Sequence, residues 1–185
     1  KRAIQIHWER LLRRIPPFLM QMYRKHLGTE IEYAAVYFMD KKEDKYKLFF
    51  SKTRKSQDFL KESMPKTGHI PMWFDEIAPP LIKEDLLDAK YRMAFTCEDI
   101  DYYQSKQTNK ELIQRLEELK FSLTAFKAEV CIYCFYQNRL LAFLLLGRKQ
   151  RGSYSEEELD TFTSLAHSVS MALRNGELIA EAEES

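Results

Sequence analysis

Apolar positions recur with two periods along this chain, and each period marks an element. Ile4, Trp8, Leu11, Ile15, Phe18 and Met22 alternate spacings of four and three, which predicts a helical seam with a near-heptad repeat. Pro16–Pro17 falls inside that seam, where proline removes a backbone donor and crowds the turn before it. The pattern therefore predicts a helix to Arg14, a kink at 16–17 and a second helix over Pro17–Leu27, capped by Gly28. Glu32–Met39 and Tyr46–Ser51 are rich in aromatic and β-favouring residues and flank the charged turn Lys41–Lys45, which predicts a hairpin. A short helix is expected at Met72–Ile77, then a proline stop, then a short strand at Leu81–Ile82. Lys52–Gly68 is polar and weakly patterned, and Ala89–Gln107 has no clear period.

The second half is more legible. Thr108 and Glu111 form a capping box for a helix to Lys120, with Leu112, Ile113, Leu116 and Leu119 on its buried stripe. Glu129–Tyr136 and Arg139–Gly147 predict two strands joined by Gln137–Asn138, a two-residue loop that needs positive φ. In the second strand Leu140, Ala142, Leu144 and Leu146 face one way, and Leu141, Phe143 and Leu145 the other. Both sets are apolar, so both faces must be covered and the strand is central. Ser155 and Glu158 then make a capping box, Tyr154 and Leu159 a hydrophobic staple, and Glu156 and Glu157 favour the positive helix end. Leu159, Phe162, Ala166, Val169 and Leu173 form the stripe of that last helix, widened by Leu165, Ala172 and Ile179. A stripe so broad predicts two partners.

Composition narrows the class. With 185 residues, 45% of them apolar, the chain is long enough for one domain with a core. Its net charge is only +1, yet residues 1–27 hold seven basic side chains against one acidic, and residues 156–185 eight acidic against one basic. No apolar run approaches the ~20 residues of a membrane helix, so no membrane insertion is expected in this segment. Three irregularly spaced cysteines argue against a secreted disulfide scaffold and for a cytoplasmic location. The chain begins at Lys1 and reads as a piece of a longer protein.

Candidate chemistry is sparse. Cys131 and Cys134 spell C-x-x-C, but three residues apart on a strand they point to opposite faces, which favours a reduced core over a redox pair. Cys97 is a third thiol. His7, His26, His69 and His167 share no metal-ligand spacing, and no metal site is expected. No phosphate-cradling glycine motif is present. The basic residues near the N-terminus are threaded by an apolar seam, so a packing helix is expected there and not a nucleic-acid interface.

The stretch from Ala128 to Glu183 resembles the C-terminal half of a GAF domain. Leu146-Gly147-Arg148-Lys149, Ser155-Glu156-Glu157-Glu158-Leu159 and Ala172-Leu173-Arg174-Asn175 match the family pattern, and the segment MWFDEIAPPLIKEDL resembles its helix–proline–strand stretch. The resemblance covers most of Ile31–Glu181; Ala142 and Tyr133 depart from it, standing where the family often has Gly and Pro. It implies an α+β fold: an antiparallel sheet with N- and C-terminal helices packed on one face and a variable pocket on the other. It also implies an N-terminal helical segment over 1–27, the domain proper over 28–181, and at 182–185 the start of a linker to an effector domain.

The function implied is that of a non-catalytic sensory or regulatory domain of a bacterial signalling protein. Histidine kinases and cyclic-dinucleotide enzymes are the effectors that the resemblance suggests. The residues that fall in pocket-forming segments are Met72, Trp73, Phe74, Tyr91, Phe95, Cys97, Tyr102 and Tyr103. The ligand is an unnamed small molecule, and the resemblance implies no particular cofactor. A homodimer through the terminal helices would use Ile4, Trp8, Leu11, Ile15, Leu165, Ala172 and Ile179. Two alternatives stand beside this reading: a dimerisation scaffold without ligand, and an enzyme like the GAF-type free methionine sulfoxide reductases, whose glycine-rich pocket segments are missing here.

Overall fold

A computed structural model describes the backbone of residues 2–26, 28–54, 58–84 and 93–184, with the side chains of these apart from 2–8, 26, 173 and 176–184. Its centre is a sheet of strands β1 (Tyr33–Asp40), β2 (Lys45–Thr53), β3 (Ser63–Pro65), β4 (Ala94–Thr96), β5 (Val130–Tyr136) and β6 (Arg139–Leu146). Their spatial order is β3-β2-β1-β6-β5-β4, and every neighbouring pair is antiparallel. Helix α1 (Arg2–His26) precedes the sheet and α6 (Glu156–Glu184) follows it. Between them lie α2 (His69–Met72), a π-helical turn at Trp73–Ile77, α3 (Ala78–Lys83), α4 (Cys97–Lys106) and α5 (Lys110–Ala125). Among the described residues no helix is long and apolar enough to cross a membrane.

The expected central strand is there. β6 pairs with β1 on one side and β5 on the other, and Leu140–Leu146 are buried without a break. Two cores therefore form. Alternation along β1 sends Ala34, Val36 and Phe38 to one core and Tyr33, Ala35 and Tyr37 to the other. The first core is closed by Leu12, Ile15, Leu19 and Tyr23 of α1 and by Leu159, Phe162, Ala166 and Val169 of α6. The second is closed by α2, the π-turn and α5, through Ile70, Trp73, Phe74, Leu116, Leu119 and Leu123. The terminal helices thus share one face, the arrangement that the α+β reading required.

Local chemistry explains the boundaries. Gln137 and Asn138 take φ of 51° and 62°, the primed geometry that a two-residue hairpin needs. Glycine at 147 is a packing requirement, because a Cβ there would lie 2.6 Å from the Tyr33 ring. The Ser155 box forms as expected: Glu158 N–H donates to Ser155 Oγ at 3.2 Å, and Ser155 N–H to Glu158 Oε1 at 3.1 Å. Gly28 has φ of 63°, and Thr29 N–H returns to the Tyr23 carbonyl, a C-terminal closure of α1.

Five expectations are corrected. α1 runs through Pro16–Pro17 as one helix, because Leu12, Ile15, Leu19 and Tyr23 dock on the sheet on both sides of the prolines. The helix after Gln107 is capped one residue later than expected: Asn109 Oδ1, not Thr108, accepts from the Glu111 and Leu112 N–H groups. Leu81–Ile82 is helical, not a strand. The π-turn just before Pro79–Pro80 widens the spiral, easing the clash of a proline ring with the preceding turn. In the stretch without period, Thr96 and Asp99 form a capping box that starts α4. Finally, Leu140 belongs to the α5-side core and Leu141 to the helix-side core, the reverse of simple alternation. The cause is a β-bulge: Cys134 pairs with Ala142 but Phe135 with Leu140, leaving Leu141 as the extra residue.

Candidate functional site

The face opposite the terminal helices is aromatic. Phe74 stacks on Tyr133 with ring centroids 4.3 Å apart, Phe95 meets Phe74 edge-on, and Trp73 packs on Phe95. The ring of Tyr103 lies parallel to that of Phe95 at 6.0 Å. Tyr37 stacks on Phe143 at 5.2 Å, beside Tyr46. The phenols reach out of this core to main-chain carbonyls: Tyr37 to Lys61 and Tyr46 to Leu140, each at 2.6 Å. Burial pushes the pKa of both upward. One polar atom of this core is left over. The indole Nε1 of Trp73 is buried and has no hydrogen-bond partner among the described residues, which is costly for a donor in an apolar setting.

Of the pocket residues expected from sequence, Trp73, Phe74, Phe95 and Tyr103 come together in this cluster. Met72 is half-buried in the last residue of α2. Tyr102 is largely exposed on α4 and meets the cluster through an edge contact with Tyr103. Cys97 is half-buried with its Sγ 3.7 Å from the Ala128 carbonyl, where it borders a separate cavity of about 640 Å³ at the end of β6. Tyr91 lies outside the described residues. Sequence reasoning named Tyr133 only as a departure from the family pattern and not among the pocket residues, although its alternation on β5 could have placed it on this face. It also missed Asp75, whose carboxylate takes Arg139 Nη2 at 2.8 Å and the Leu140 N–H at 2.9 Å.

The 640 Å³ cavity is charged. Glu32, Glu98, Glu129 and Glu156 line it together with Lys127 and Arg148. Burial holds the Glu129 carboxyl above its usual range, opposed by Arg148 and reinforced by Glu98 and Glu32.

On the other face, a polar cluster fastens α1 to α6. Lys149 Nζ lies 2.9 Å from Glu158 Oε1, and the two side chains are only 10% and 16% exposed. Tyr23 on α1 donates its hydroxyl to the second oxygen of Glu158. The ammonium sits over the rings of Tyr23 and Tyr154 at 5.6 Å from each and donates to the Ser153 carbonyl at 3.2 Å. Tyr154 in turn donates to the Gly147 carbonyl at the end of β6. Burial raises the Glu158 pKa, but the bonds from Tyr23, Lys149 and Ser155 together bring it below the usual carboxylate value.

The helix residues expected at an interface separate into groups. Ile15 is buried in its own chain's core, while Leu11, Leu165 and Ala172 are half-buried. The side chains of Ile4, Trp8 and Ile179 lie outside the described residues. Among the described residues, the large apolar side chains most open on these helices are Phe18 at 57% and Met171 at 65%. Phe18 sits between Leu11 and Met22 on the outer flank of α1, one step around from the core stripe.

Cys131 and Cys134 are free thiols buried in opposite cores, as strand alternation requires. Burial raises both, Cys134 to about 12. Burial raises the Cys97 thiol as well, but its side chain is only half-buried while the other two are closed off, so in the native protein a maleimide is expected to modify Cys97 and spare the other two. Denaturation should expose all three. Native labelling of Cys131 or Cys134 at the rate of Cys97 would contradict their placement.

The architecture defines a class: an open antiparallel sheet with both terminal helices on one face and short helices over the other. Within it, the chain has the GAF-domain fold. The blue-light absorbing form of the Thermosynechococcus elongatus PixJ GAF domain aligns with 100% of this chain and 95% of its own, at 14% identity and a TM-score of 0.52. Residues 122 to 287 of a methyl-accepting chemotaxis protein align with 93% of this chain and 92% of theirs, at 13% identity and a TM-score of 0.51. No family model matches the sequence, and no curated protein does.

Proposed function

We propose that this chain is a non-catalytic regulatory domain of a signalling protein. In this reading its aromatic face senses and its terminal helices relay. The observation that carries the proposal is the division of labour across β6: an aromatic core on one side, and α1 and α6 fastened together on the other. The buried indole N–H of Trp73, without a partner among the described residues, supports a small-molecule ligand with a hydrogen-bond acceptor on the aromatic face. The GAF-domain and chemotaxis-protein neighbours are in keeping with signalling.

The exposed Phe18 and Met171 support a second copy of this chain as the partner of the helix face. In this proposal α1 and α6 of two subunits form one bundle, and a change on the aromatic face alters how they pair. Sedimentation velocity tests it. The protein is expected to sediment as a concentration-dependent dimer, and Phe18→Asp to weaken association at least roughly tenfold, the scale of one interface anchor. A wild-type monomer at every concentration would refute the relay.

A further inference from the structure

The strand that joins the two cores has no polar face to hold its register. In a sheet with one wet face, a one-residue slip drives apolar side chains into water. β6 is buried and apolar on both sides from Leu140 to Leu146, so that penalty is weak here. At the bulge it nearly vanishes, because the two residues that would exchange cores, Leu140 and Leu141, carry the same side chain.

Side chains supply the missing restraint. The Leu140 N–H donates to Asp75 Oδ1 at 2.9 Å, and the Leu140 carbonyl accepts from the Tyr46 hydroxyl at 2.6 Å. The Asp75 carboxylate is 9% exposed, and its other oxygen takes Arg139. Asp75 stands on the π-turn, next to Phe74 and two residues from Trp73. A π-turn is itself a helix with a residue inserted. A helix with an extra residue thus grips a strand with an extra residue, at the point where the aromatic cluster meets β6.

We propose that the Leu140–Leu141 bulge is a two-position switch and that Asp75 sets it. In the position seen, Leu140 packs in the aromatic core and Leu141 in the helix-side core. In the other, the bulge moves by one residue and the two leucines change places. Displacing the π-turn pulls Asp75 off the Leu140 N–H and frees the bulge to move. The switch rests on the functional reading above, for which it supplies the step between the sensing face and the helices.

Methyl NMR of leucine-labelled protein tests it, with nuclear Overhauser contacts to Tyr46 marking the aromatic core and to Phe38 the helix-side core. Asp75→Ala is expected to give Leu140 and Leu141 a second set of signals, with Leu140 in contact with Phe38. Its Leu140 amide should exchange roughly tenfold faster or more, the scale set by loss of a hydrogen bond to a charged group. Asp75→Asn keeps the acceptor, Arg139→Ala removes only the ion pair, and both should retain one set. Tyr46→Phe loses the second restraint and keeps the ring, so it should also divide the signals and serves if Asp75→Ala does not fold. A single set in both Asp75→Ala and Tyr46→Phe overturns the switch, as does equal splitting in Arg139→Ala. If the signals divide while Asp75→Ala associates as the wild type does, the switch holds and the relay reading falls.

Discussion

Phe143→Ala is expected to cost about 3–5 kcal/mol, the range for emptying a buried aromatic site. The side chain is fully buried, stacked on Tyr37 and packed against Tyr46. Neighbours cannot collapse into the space easily, because the hydroxyls of Tyr37 and Tyr46 are tied to the Lys61 and Leu140 carbonyls. For a domain of this length, a loss of that size lowers the melting temperature by roughly 6–20 °C. Thermal unfolding followed by circular dichroism measures it. A loss near zero would mean that position 143 is not in the core.

Glu158→Ala is expected to cost about 3 kcal/mol by removing one partner of a buried ion pair. Lys149 would be left over two tyrosine rings without its carboxylate, Tyr23 would lose its acceptor, and the first turn of α6 would lose half its capping box. Removing both charges, as in Lys149→Met with Glu158→Gln, is expected to recover most of that loss. The pH dependence has a definite sign. The native pKa of Glu158 is below its unfolded value, so its contribution is full above the unfolded value and is lost as pH falls through the native one. Denaturant titrations of wild type and Glu158→Gln should therefore converge below about pH 4, the ordinary carboxylate range. Curves that stay equally far apart at low pH would contradict the assignment.

The parts legible in the sequence are those whose signal is strictly local or strictly periodic. The run Leu140–Leu146 announces a strand covered twice, and Ser155 with Glu158 announces the start of α6. The failures fall where regular period breaks. A bulge exchanges Leu140 and Leu141, and no alternation rule anticipates an inserted residue. A π-turn lets Pro79–Pro80 follow a helix directly, where a 3.6-residue period predicts a stop. β4 is only three residues long and α4 buries Ile100 alone, so neither has a stripe to read, although Thr96 and Asp99 are a usable cap signal.

The candidate site is legible by residue type more than by geometry. Trp73, Phe74 and Phe95 stand out as pocket aromatics, but their packing partner Tyr133 and the clamp at Asp75 depend on contacts between segments far apart in the chain. On the helix face, the apolar seam expected for α1 lies one step off the stripe that meets the sheet. Leu12, Leu19 and Tyr23 face the sheet, which leaves Phe18 outside. A near-heptad spacing does not tell which of two adjacent stripes meets the core.

Amide hydrogen exchange of the native protein tests most directly whether β6 is the layer between two cores. Paired on both edges and covered on both faces, the second half of the strand, residues 142–146, should hold the slowest amides of the chain. They should outlast those of the edge strands β3 and β4 by orders of magnitude, on the scale that separates global from local opening. Exchange of residues 142–146 as fast as that of β3 or β4 would contradict the account.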